Sequence, residues 1–434
     1  MNHASERKFG TKIPEAVILN EIATATEAKD LRFVRVRNRV PPVSILRPGI
    51  RKPATLFLPA LLLLTACRPH DFPQYPPNYR EYAYVTNGIS GTVTVLDVVD
   101  VRVDREIQTG QNPVAVIAGT TRNEVYVVNS GAADGRGTVS VINAENNSVA
   151  ATIPVHRQPV SVDLDPTDAL AYVANSGSNN ISIVDLKLRR EIAAIGVGDE
   201  PVAARISPDG KSLVVANRRG NSVTIVDPKA RRVRAVFEGC PGASSIVVLP
   251  DSSKAFVACS AGHQVMSVAL ARPLADPPEP DRLETLMDVG RGPVYLALKP
   301  DGGEFFSCNS LSNSISEAST PTNDVSGAIL MGDDPVYGLV SRDNSLIYVS
   351  DSRSQEVTIY AIDDGRRAGS IHVGNGPSAM AFSAAGHLLF VVDSGSSDVA
   401  VVRTSSRSLF TPLFTLLPTG RGPNAIVDKA FKVP

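Results

Sequence analysis

The chain has little cysteine for its length: four residues among 434, and no two of them are arranged as Cys-x-x-Cys. So few cysteines cannot build a disulfide-framed small domain, and the missing pair argues against a zinc site and against attachment of c-type haem. Gly-x-Ser-x-Gly and glycine-rich phosphate-binding loops are absent as well. Their absence removes the usual sequence signatures of serine hydrolases and nucleotide-binding proteins.

Positive charge is scarce outside the N-terminal region. Residues 1–66 hold 11 of the 43 Lys and Arg residues but only 5 of the 44 Asp and Glu residues, so the rest of the chain is acidic. Nucleic-acid binding depends on neutralising phosphates with a basic surface, and we therefore expect no nucleic-acid partner. The six histidines show no ligand spacing, so we expect no metal site, no catalytic group and no cofactor.

A long hydrophobic run is also missing. The apolar run at residues 53–64 is too short to cross a bilayer as a helix, which takes about 20 residues. It follows Arg47, Arg51 and Lys52 and has the length of a signal-peptide core, so residues 47–66 are predicted to be a signal peptide. Residues 1–46 are interpreted as an upstream extension from a start site placed too early, with a functional pre-region as the alternative.

The predicted signal ends in Leu64-Thr65-Ala66-Cys67, which resembles the lipobox of bacterial lipoproteins. The resemblance implies that Cys67 becomes a lipidated N-terminus. The mature protein would then be extracytoplasmic and anchored to the cell envelope, on the periplasmic side or at the outer membrane. Residues 67–81 contain four prolines, a composition typical of an extended tether.

The remaining residues, 82–434, repeat one pattern. A short apolar run recurs at steps of 42 residues in most cases, beginning at Tyr84, Tyr126, Tyr172, Val214, Phe256, Phe306, Tyr348 and Phe390. A second run is opened by a proline, at Pro113, Pro159, Pro201, Pro241, Pro293, Pro335, Pro377 and Pro423. A period of about 40–50 residues built from short β-branched runs is typical of propeller blades of four strands.

The sequence therefore predicts an all-β fold, a β-propeller of four-stranded blades, with eight blades favoured. Seven blades are the alternative because the sixth unit, around Cys308 and Ile315, is degenerate. The first aromatic run has no proline-led run before it, and the last proline-led run has no aromatic run after it. We therefore expect the N- and C-terminal strands to pair in one blade and close the ring.

This body resembles the YVTN β-propeller repeat family, whose motif stands intact at Tyr84-Val85-Thr86-Asn87. The resemblance covers residues 82–434. It implies a binding or scaffold role toward a protein, glycan or small ligand and favours a binding protein over an enzyme. The absence of tryptophan argues against WD-repeat and quinoprotein propellers.

Polar residues recur at the ends of the predicted strands. Asparagines end the second strand and aspartates the third, at Asn87, Asn129, Asn175, Asn217, Asn309, Asp97, Asp185 and Asp227. Such side chains bond to the backbone of their own turn. Because they recur from blade to blade, we interpret them as structural and not as catalytic.

Candidate ligand-binding residues lie in loops that should share one mouth of the channel, those before the proline-led strands and those after the aromatic strands. They are His156, Arg157, Arg218, Arg219, Arg291, Arg353 and Arg421. Arginine suits planar recognition of carboxylate or phosphate groups. Arg291 and Arg421 stand out because both occur in Arg-Gly-Pro, and a merely solvated rim of mixed charge is the alternative.

Two other functions stay open at this point. A lactonase-like propeller would recruit His156, Glu200 and Arg291 to open a cyclic ester. A tetrapyrrole site like that of the haem-binding propeller of cytochrome-cd-type nitrite reductases would need one isolated histidine as axial ligand. The three cysteines of the body also leave two arrangements open. Either Cys240 and Cys259 form a disulfide within one blade, or the body holds buried free thiols, Cys308 among them.

Overall fold

The computed structural model describes residues 73–133, 135–272, 278–404 and 413–433. The regular elements among them are 32 β-strands in eight antiparallel sheets of four, arranged as the blades of a β-propeller. The all-β expectation and the count of eight are confirmed. The sixth unit is a complete blade despite its degenerate sequence. Within the described ranges no helix has the length and apolar character needed to traverse a bilayer.

The proline-led runs form the innermost strands, and those of neighbouring blades lie beside one another around the central channel. Proline suits this place because the channel-facing edge of the strand needs no ladder N–H. The innermost strand of the fifth blade is the exception, since it begins at Ala243 and not at a proline. The innermost strands are β4 (Pro113–Ala118), β8 (Pro159–Leu164), β12 (Pro201–Ile206), β16 (Ala243–Val248), β20 (Pro293–Leu298), β24 (Pro335–Val340), β28 (Pro377–Phe382) and β32 (Pro423–Lys432).

The aromatic-led runs form the second strands. They are buried beyond their first residues because blades pack on both faces. They are β1 (Tyr79–Asn87), β5 (Glu124–Asn129), β9 (Leu170–Asn175), β13 (Leu213–Asn217), β17 (Lys254–Cys259), β21 (Glu304–Asn309), β25 (Leu346–Asp351) and β29 (Leu388–Asp393).

Two further strands complete each blade. The third strands are β2 (Thr92–Asp97), β6 (Arg136–Asn143), β10 (Asn180–Asp185), β14 (Ser222–Asp227), β18 (Gln264–Ala269), β22 (Ser314–Ser319), β26 (Glu356–Ala361) and β30 (Asp398–Arg403). The outermost strands are β3 (Arg102–Gln108), β7 (Ser148–Arg157), β11 (Arg190–Gly196), β15 (Arg232–Glu238), β19 (Arg282–Asp288), β23 (Val325–Leu330), β27 (Arg366–His372) and β31 (Leu413–Pro418).

The ring closes where the two ends of the chain meet. Strand β1 lies between β32 and β2, and residues 79–87 pair antiparallel with residues 423–432. The predicted terminal pairing is therefore confirmed, and the core lies between blades. The Phe256 and Phe305 rings, for example, lie 4.7 Å apart between the fifth and sixth blades.

The asparagines at the ends of the second strands are buried cross-links to the third strands. Asn129 Nδ2 donates to Thr138 Oγ1 (3.0 Å) and Ser140 Oγ (2.9 Å), and Asn129 Oδ1 accepts the N–H of Gly110 (3.1 Å). The expectation that the asparagines bond to the backbone of their own turn is therefore wrong, because their partners are side chains of the third strand and the N–H of a glycine. Their role is nevertheless structural. The aspartates do bond their own turns, as Asp185 Oδ1 accepts the N–H of Lys187 (2.9 Å).

A glycine packs directly on several of these buried side chains. A Cβ on Gly110 would lie 2.7 Å from Asn129 Cγ, and a Cβ on Gly198 would lie 2.7 Å from Asn217 Cγ. In the fifth blade both partners of this contact are replaced together. Cys240 stands for the glycine and Cys259 for the asparagine, and they form a disulfide. Cys308 is a buried free thiol.

Candidate functional site

One end of the channel, which we call the rim, is formed by the loops that precede the innermost strands and the loops that follow the second strands. Backbone hydrogen bonds join the two sets within a blade. The N–H of Ser130 donates to the carbonyl of Asn112 (2.9 Å), and the N–H of Arg218 donates to that of Glu200 (2.9 Å). The two sets of loops therefore meet at one end of the channel.

Three of the predicted rim arginines lie beside carboxylates of the neighbouring loop. Arg218 Nη1 and Arg219 Nε lie 3.9 and 3.4 Å from the carboxylate oxygens of Glu200. Arg353 Nε lies 3.4 Å from Asp334 Oδ2. The side chains of Arg219 and Arg353 are largely exposed, so solvent screens these pairs and they add little stability. Their positive charge is already balanced on the rim.

The two Arg-Gly-Pro turns are different. Among the described residues, no carboxylate forms an ion pair with Arg291 or Arg421. Arg291 Nη2 donates to the carbonyl of Leu311 (3.2 Å), and the N–H of Ile89 donates to the carbonyl of Arg421 (3.2 Å). Leu311 and Ile89 occupy equivalent loop positions and are 63% and 71% exposed. Each turn thus presents an arginine beside an exposed aliphatic side chain.

The two remaining predicted residues lie at the rim end of the outermost strand β7. His156 Nε2 is 3.2 Å from Glu191 Oε1, which belongs to the outermost strand of the next blade. The N–H of Arg157 donates to Ser178 Oγ (3.0 Å). His156 therefore bridges two blades on the outer side, while Glu200 pairs with the arginines of its own blade. The structure does not bring His156 and Glu200 together in one cluster.

The channel wall holds polar residues that the sequence reasoning missed. Ser161 Oγ and Asp163 Oδ2, on β8, accept the N–H groups of Ala204 (3.4 Å) and Ile206 (2.9 Å) on β12. These N–H groups lie on the unpaired edge of the innermost strand. Side chains that reach them from the third and fifth positions of the preceding innermost strand therefore line the channel.

Arg205, Tyr295 and Tyr337 occupy the same positions on other innermost strands. The rings of Tyr295 and Tyr337 stack across neighbouring blades with centroids 4.1 Å apart. Burial raises the pKa of Asp163 and of both tyrosines, and the positive charge of Arg205 acts against that rise in all three groups. The charge of Arg205 therefore acts on side chains from three other blades, and Arg205 is exposed to solvent inside the channel.

A signal for this cluster is present in the sequence. The third and fifth positions of the proline-led runs are small or aliphatic in three blades, as in Ala115 and Ile117 or Ala379 and Ala381. Serine, aspartate, arginine and tyrosine interrupt that rule in the third to seventh blades. A polar or aromatic residue at the third or fifth position of a proline-led run, where other blades have a small or aliphatic residue, therefore indicates a side chain that lines the channel.

The end opposite the rim holds a buried carboxyl pair beside the ring closure. Glu81 is 1% exposed, and its carboxylate accepts the Tyr79 hydroxyl (2.6 Å) and the N–H of Ala384 (2.6 Å). Burial and the neighbouring Glu81 raise the pKa of Asp428 to about 9. The Glu81–Asp428 pair is therefore expected to hold a proton at neutral pH.

The first described residues of the predicted tether pack at this same end. The Tyr75 ring stacks on Tyr79 with centroids 4.7 Å apart, and its hydroxyl is hydrogen-bonded to His387 Nε2 (3.1 Å). A cavity of about 220 Å³ lies nearby, with Arg342 and Asp343 as its charged lining residues. In the described parts of the chain no three His, Cys, Asp or Glu side chains are grouped to hold a metal ion.

No family model and no curated protein matches the chain. Solved structures do. Dihydro-heme d1 dehydrogenase NirN in complex with DHE is 14% identical with a TM-score of 0.64, covering 82% of this chain and 76% of that chain. AztD of Citrobacter koseri is 13% identical with a TM-score of 0.62, covering 82% and 99%.

A third likeness is weaker. The hydrazine synthase of Kuenenia stuttgartiensis is 19% identical with a TM-score of 0.52, covering 68% of this chain and 96% of that chain. At such low identities these likenesses extend to the fold and not to the chemistry. The fold they share with this chain, which has eight blades, is the β-propeller.

Proposed function

We propose that the protein is a YVTN-type β-propeller that is tethered to the cell envelope by a lipid on Cys67 and binds a protein partner on its rim. The YVTN motif, the lipobox-like segment and the proline-rich residues 67–81 support the class and the address. Cys67 itself lies outside the described residues. The rim supports the choice of partner.

The observation that carries the proposal is the pair of Arg-Gly-Pro turns. Each presents an arginine that has no carboxylate partner among the described residues, next to Leu311 or Ile89. Arginine is enriched at protein interfaces and among their hot spots, and an exposed aliphatic side chain beside it supplies apolar area that a partner can bury. Arg218, Arg219 and Arg353 already lie beside carboxylates and supply a polar surround.

The position of the tether fits this arrangement. Tyr75 and Tyr79 pack against the end of the propeller opposite the rim. The chain that leads back to Cys67 therefore leaves the propeller at the end opposite the rim. A partner on the rim does not compete with the tether for the same surface.

The test is capture of envelope proteins by immobilised mature protein, residues 68–434, quantified by mass spectrometry. The rim variant carries Ile89→Ser, Leu311→Ser, Arg291→Glu and Arg421→Glu. The control variant makes the same changes away from the rim, at exposed positions of the blade periphery, as Leu188→Ser, Val236→Ser, Arg190→Glu and Arg232→Glu.

A protein retained by wild type and by the control variant, but at least tenfold depleted on the rim variant, is the expected result. Equal retention by all three proteins, equal loss from both variants, or no protein retained by wild type would each overturn the proposal. An absorbance spectrum of the same preparation addresses the alternatives. A Soret band would favour the tetrapyrrole-binding function instead.

A further inference from the structure

We propose that the central channel holds a second, separate binding site, which takes a small carboxylate with an apolar body. Arg205 binds the carboxylate, and the Tyr337 hydroxyl donates to it. Small aliphatic side chains on the opposite wall contact the body of the ligand. None of these residues belongs to the rim site, so the inference goes beyond the proposed function.

The charge of Arg205 is the first argument. Arg205 is exposed to solvent inside the channel, so its guanidinium is open to a ligand there. Among the described residues, no hydrogen bond or ion pair satisfies the Arg205 side chain. The one carboxylate whose pKa its charge affects, Asp163, is bonded elsewhere. Its oxygens accept the N–H groups of Ile206 (2.9 Å) and Leu164 (3.1 Å).

The stacked tyrosines are the second argument. The two rings lie with their centroids 4.1 Å apart, and the described residues form no hydrogen bond with the hydroxyl of either tyrosine. The proton of the Tyr337 hydroxyl is left without an acceptor among the described residues. The cluster therefore offers donors from Arg205 and Tyr337, and these match the acceptor oxygens of a carboxylate.

Space between the two groups comes from the fifth blade. Arg205 lies on the fourth blade and Tyr295 on the sixth. The innermost strand between them carries only Ser245 and Val247 at the channel positions, and Ser245 Oγ is occupied by the N–H of Leu296 (3.1 Å). Small side chains at this place leave room for a ligand group of modest size.

The opposite wall defines the rest of the ligand. The channel positions of the eighth, first and second blades are all small or aliphatic and half-buried. They are Ala379, Ala381, Ala425, Val427, Ala115 and Ile117. A ligand whose carboxylate meets Arg205 turns its other end toward this wall, where an apolar body is favoured over a second charge.

The probe is cyclohexanecarboxylate, titrated into mature protein (residues 68–434) by isothermal titration calorimetry at pH 7. Cyclohexanecarboxamide is its neutral isostere, and acetate lacks the apolar body. Because the chain has no tryptophan, the tyrosine difference spectrum gives a second readout close to the site. The probe itself does not absorb there.

Cyclohexanecarboxylate is expected to bind, with amide and acetate at least tenfold weaker. Arg205→Gln should weaken binding about tenfold to a hundredfold, since it removes a charge-assisted interaction. Tyr337→Phe should weaken it less and reduce the tyrosine signal. Arg353→Gln, on the rim, is the control and should bind as wild type does.

Equal binding of the amide, unchanged binding by Arg205→Gln, or no binding by wild type at about 10 mM probe would overturn the proposal. Thermal melting shows whether each variant folds. If Arg205→Gln does not fold, Arg205→Lys keeps the charge and loses the planar fork, and it must bind more weakly than wild type. The rim variant leaves this site intact, so failure of one proposal does not decide the other.

Discussion

The side chain at the end of each second strand is buried, and its chemistry differs between blades. It is an amide in five blades, a carboxyl group in two (Asp351 and Asp393) and a disulfide-bonded cysteine in one. Asn129 satisfies both the glycine N–H and the hydroxyls of the third strand. In the eighth blade, Asp393 Oδ2 accepts the N–H of Gly374 (3.0 Å) but faces Asp398, where six blades have a hydroxyl or an amide and the seventh has Glu356. Burial, together with Asp398, raises the pKa of Asp393 to about 8.

We predict that Asp393→Asn stabilises the protein above neutral pH. The folded pKa of Asp393 lies above its unfolded value, so the stability from its protonated form is complete below about pH 4 and is lost as the pH rises through about 8. Asparagine needs no proton, and its amide can donate to Asp398. The gain of the variant over wild type should grow by about 1.4 kcal/mol per pH unit between pH 5 and pH 8, about 4 kcal/mol in total, measured by chemical denaturation at both pH values.

The exposed Asp363→Asn is the matched control and should change stability by less than about 0.5 kcal/mol at either pH. An Asp393→Asn variant that unfolds more easily than wild type at pH 8 would show that the carboxylate is required. In that case the carboxylate bond to Gly374 outweighs the burial cost.

At the scale of the element, the fifth blade exchanges one cross-link for another. In six other blades a glycine before the innermost strand packs on the buried amide or carboxyl group, with no room for a Cβ. The third blade keeps Asn175 but has His156 at the position of the glycine. In the six blades a single Gly-to-Cys change would clash and a single Asn-to-Cys change would leave a gap, so Cys240 and Cys259 fit this place as a pair.

We predict that the double variant Cys240→Ser with Cys259→Ser lowers the free energy of unfolding by about 3 kcal/mol. The disulfide joins residues separated by 19 positions, and without it the unfolded chain gains the conformational entropy of that open loop. Cys240→Gly with Cys259→Asn rebuilds the contact of the other blades and should recover at least half of that loss. Denaturant unfolding of the three proteins measures both effects. Equal stability of the two variants would mean that the glycine–asparagine contact contributes nothing here.

The strands themselves could be predicted from the sequence because the apolar runs and prolines repeat in register. The shared rim could be predicted too, since strand direction alternates and decides which loops meet. The channel cluster could be predicted only in part. Polar residues at the third and fifth positions of the proline-led runs mark its members, but the pattern does not say which of these side chains lie near one another. Arg205 and Tyr337 are seen as neighbours only once eight blades are placed in a ring.

At the scale of the whole molecule, one strand from the C-terminus completes the first blade. Strand β32 pairs with β1 and lies beside β4 and β28, the innermost strands on either side. Its loss would leave β1 with an unpaired edge on the channel and remove contacts from two other blades. Stability of the ring is therefore shared between its two ends.

We predict that deletion of residues 423–434 abolishes cooperative thermal unfolding, a loss comparable to the whole stability of a typical domain, about 5–15 kcal/mol. Deletion of residues 433–434 alone is the control and should melt close to wild type. Addition of a synthetic peptide of residues 423–434 should restore part of the transition. An unchanged melting temperature in the longer deletion would show that seven complete blades and a three-stranded first blade are enough for a stable ring.

The ring closure also decides how the propeller responds to a mechanical load. With the proposed lipid anchor on Cys67, tension on the anchor would enter the body at the N-terminal end of β1. This strand is held by antiparallel ladders to β32 on one side and β2 on the other. A pull along its axis would load the hydrogen bonds of both ladders in shear, all at once, instead of unzipping them one by one. The strand that would bear the load is thus held on both edges, and the rim at the other end of the channel lies outside the path of the force.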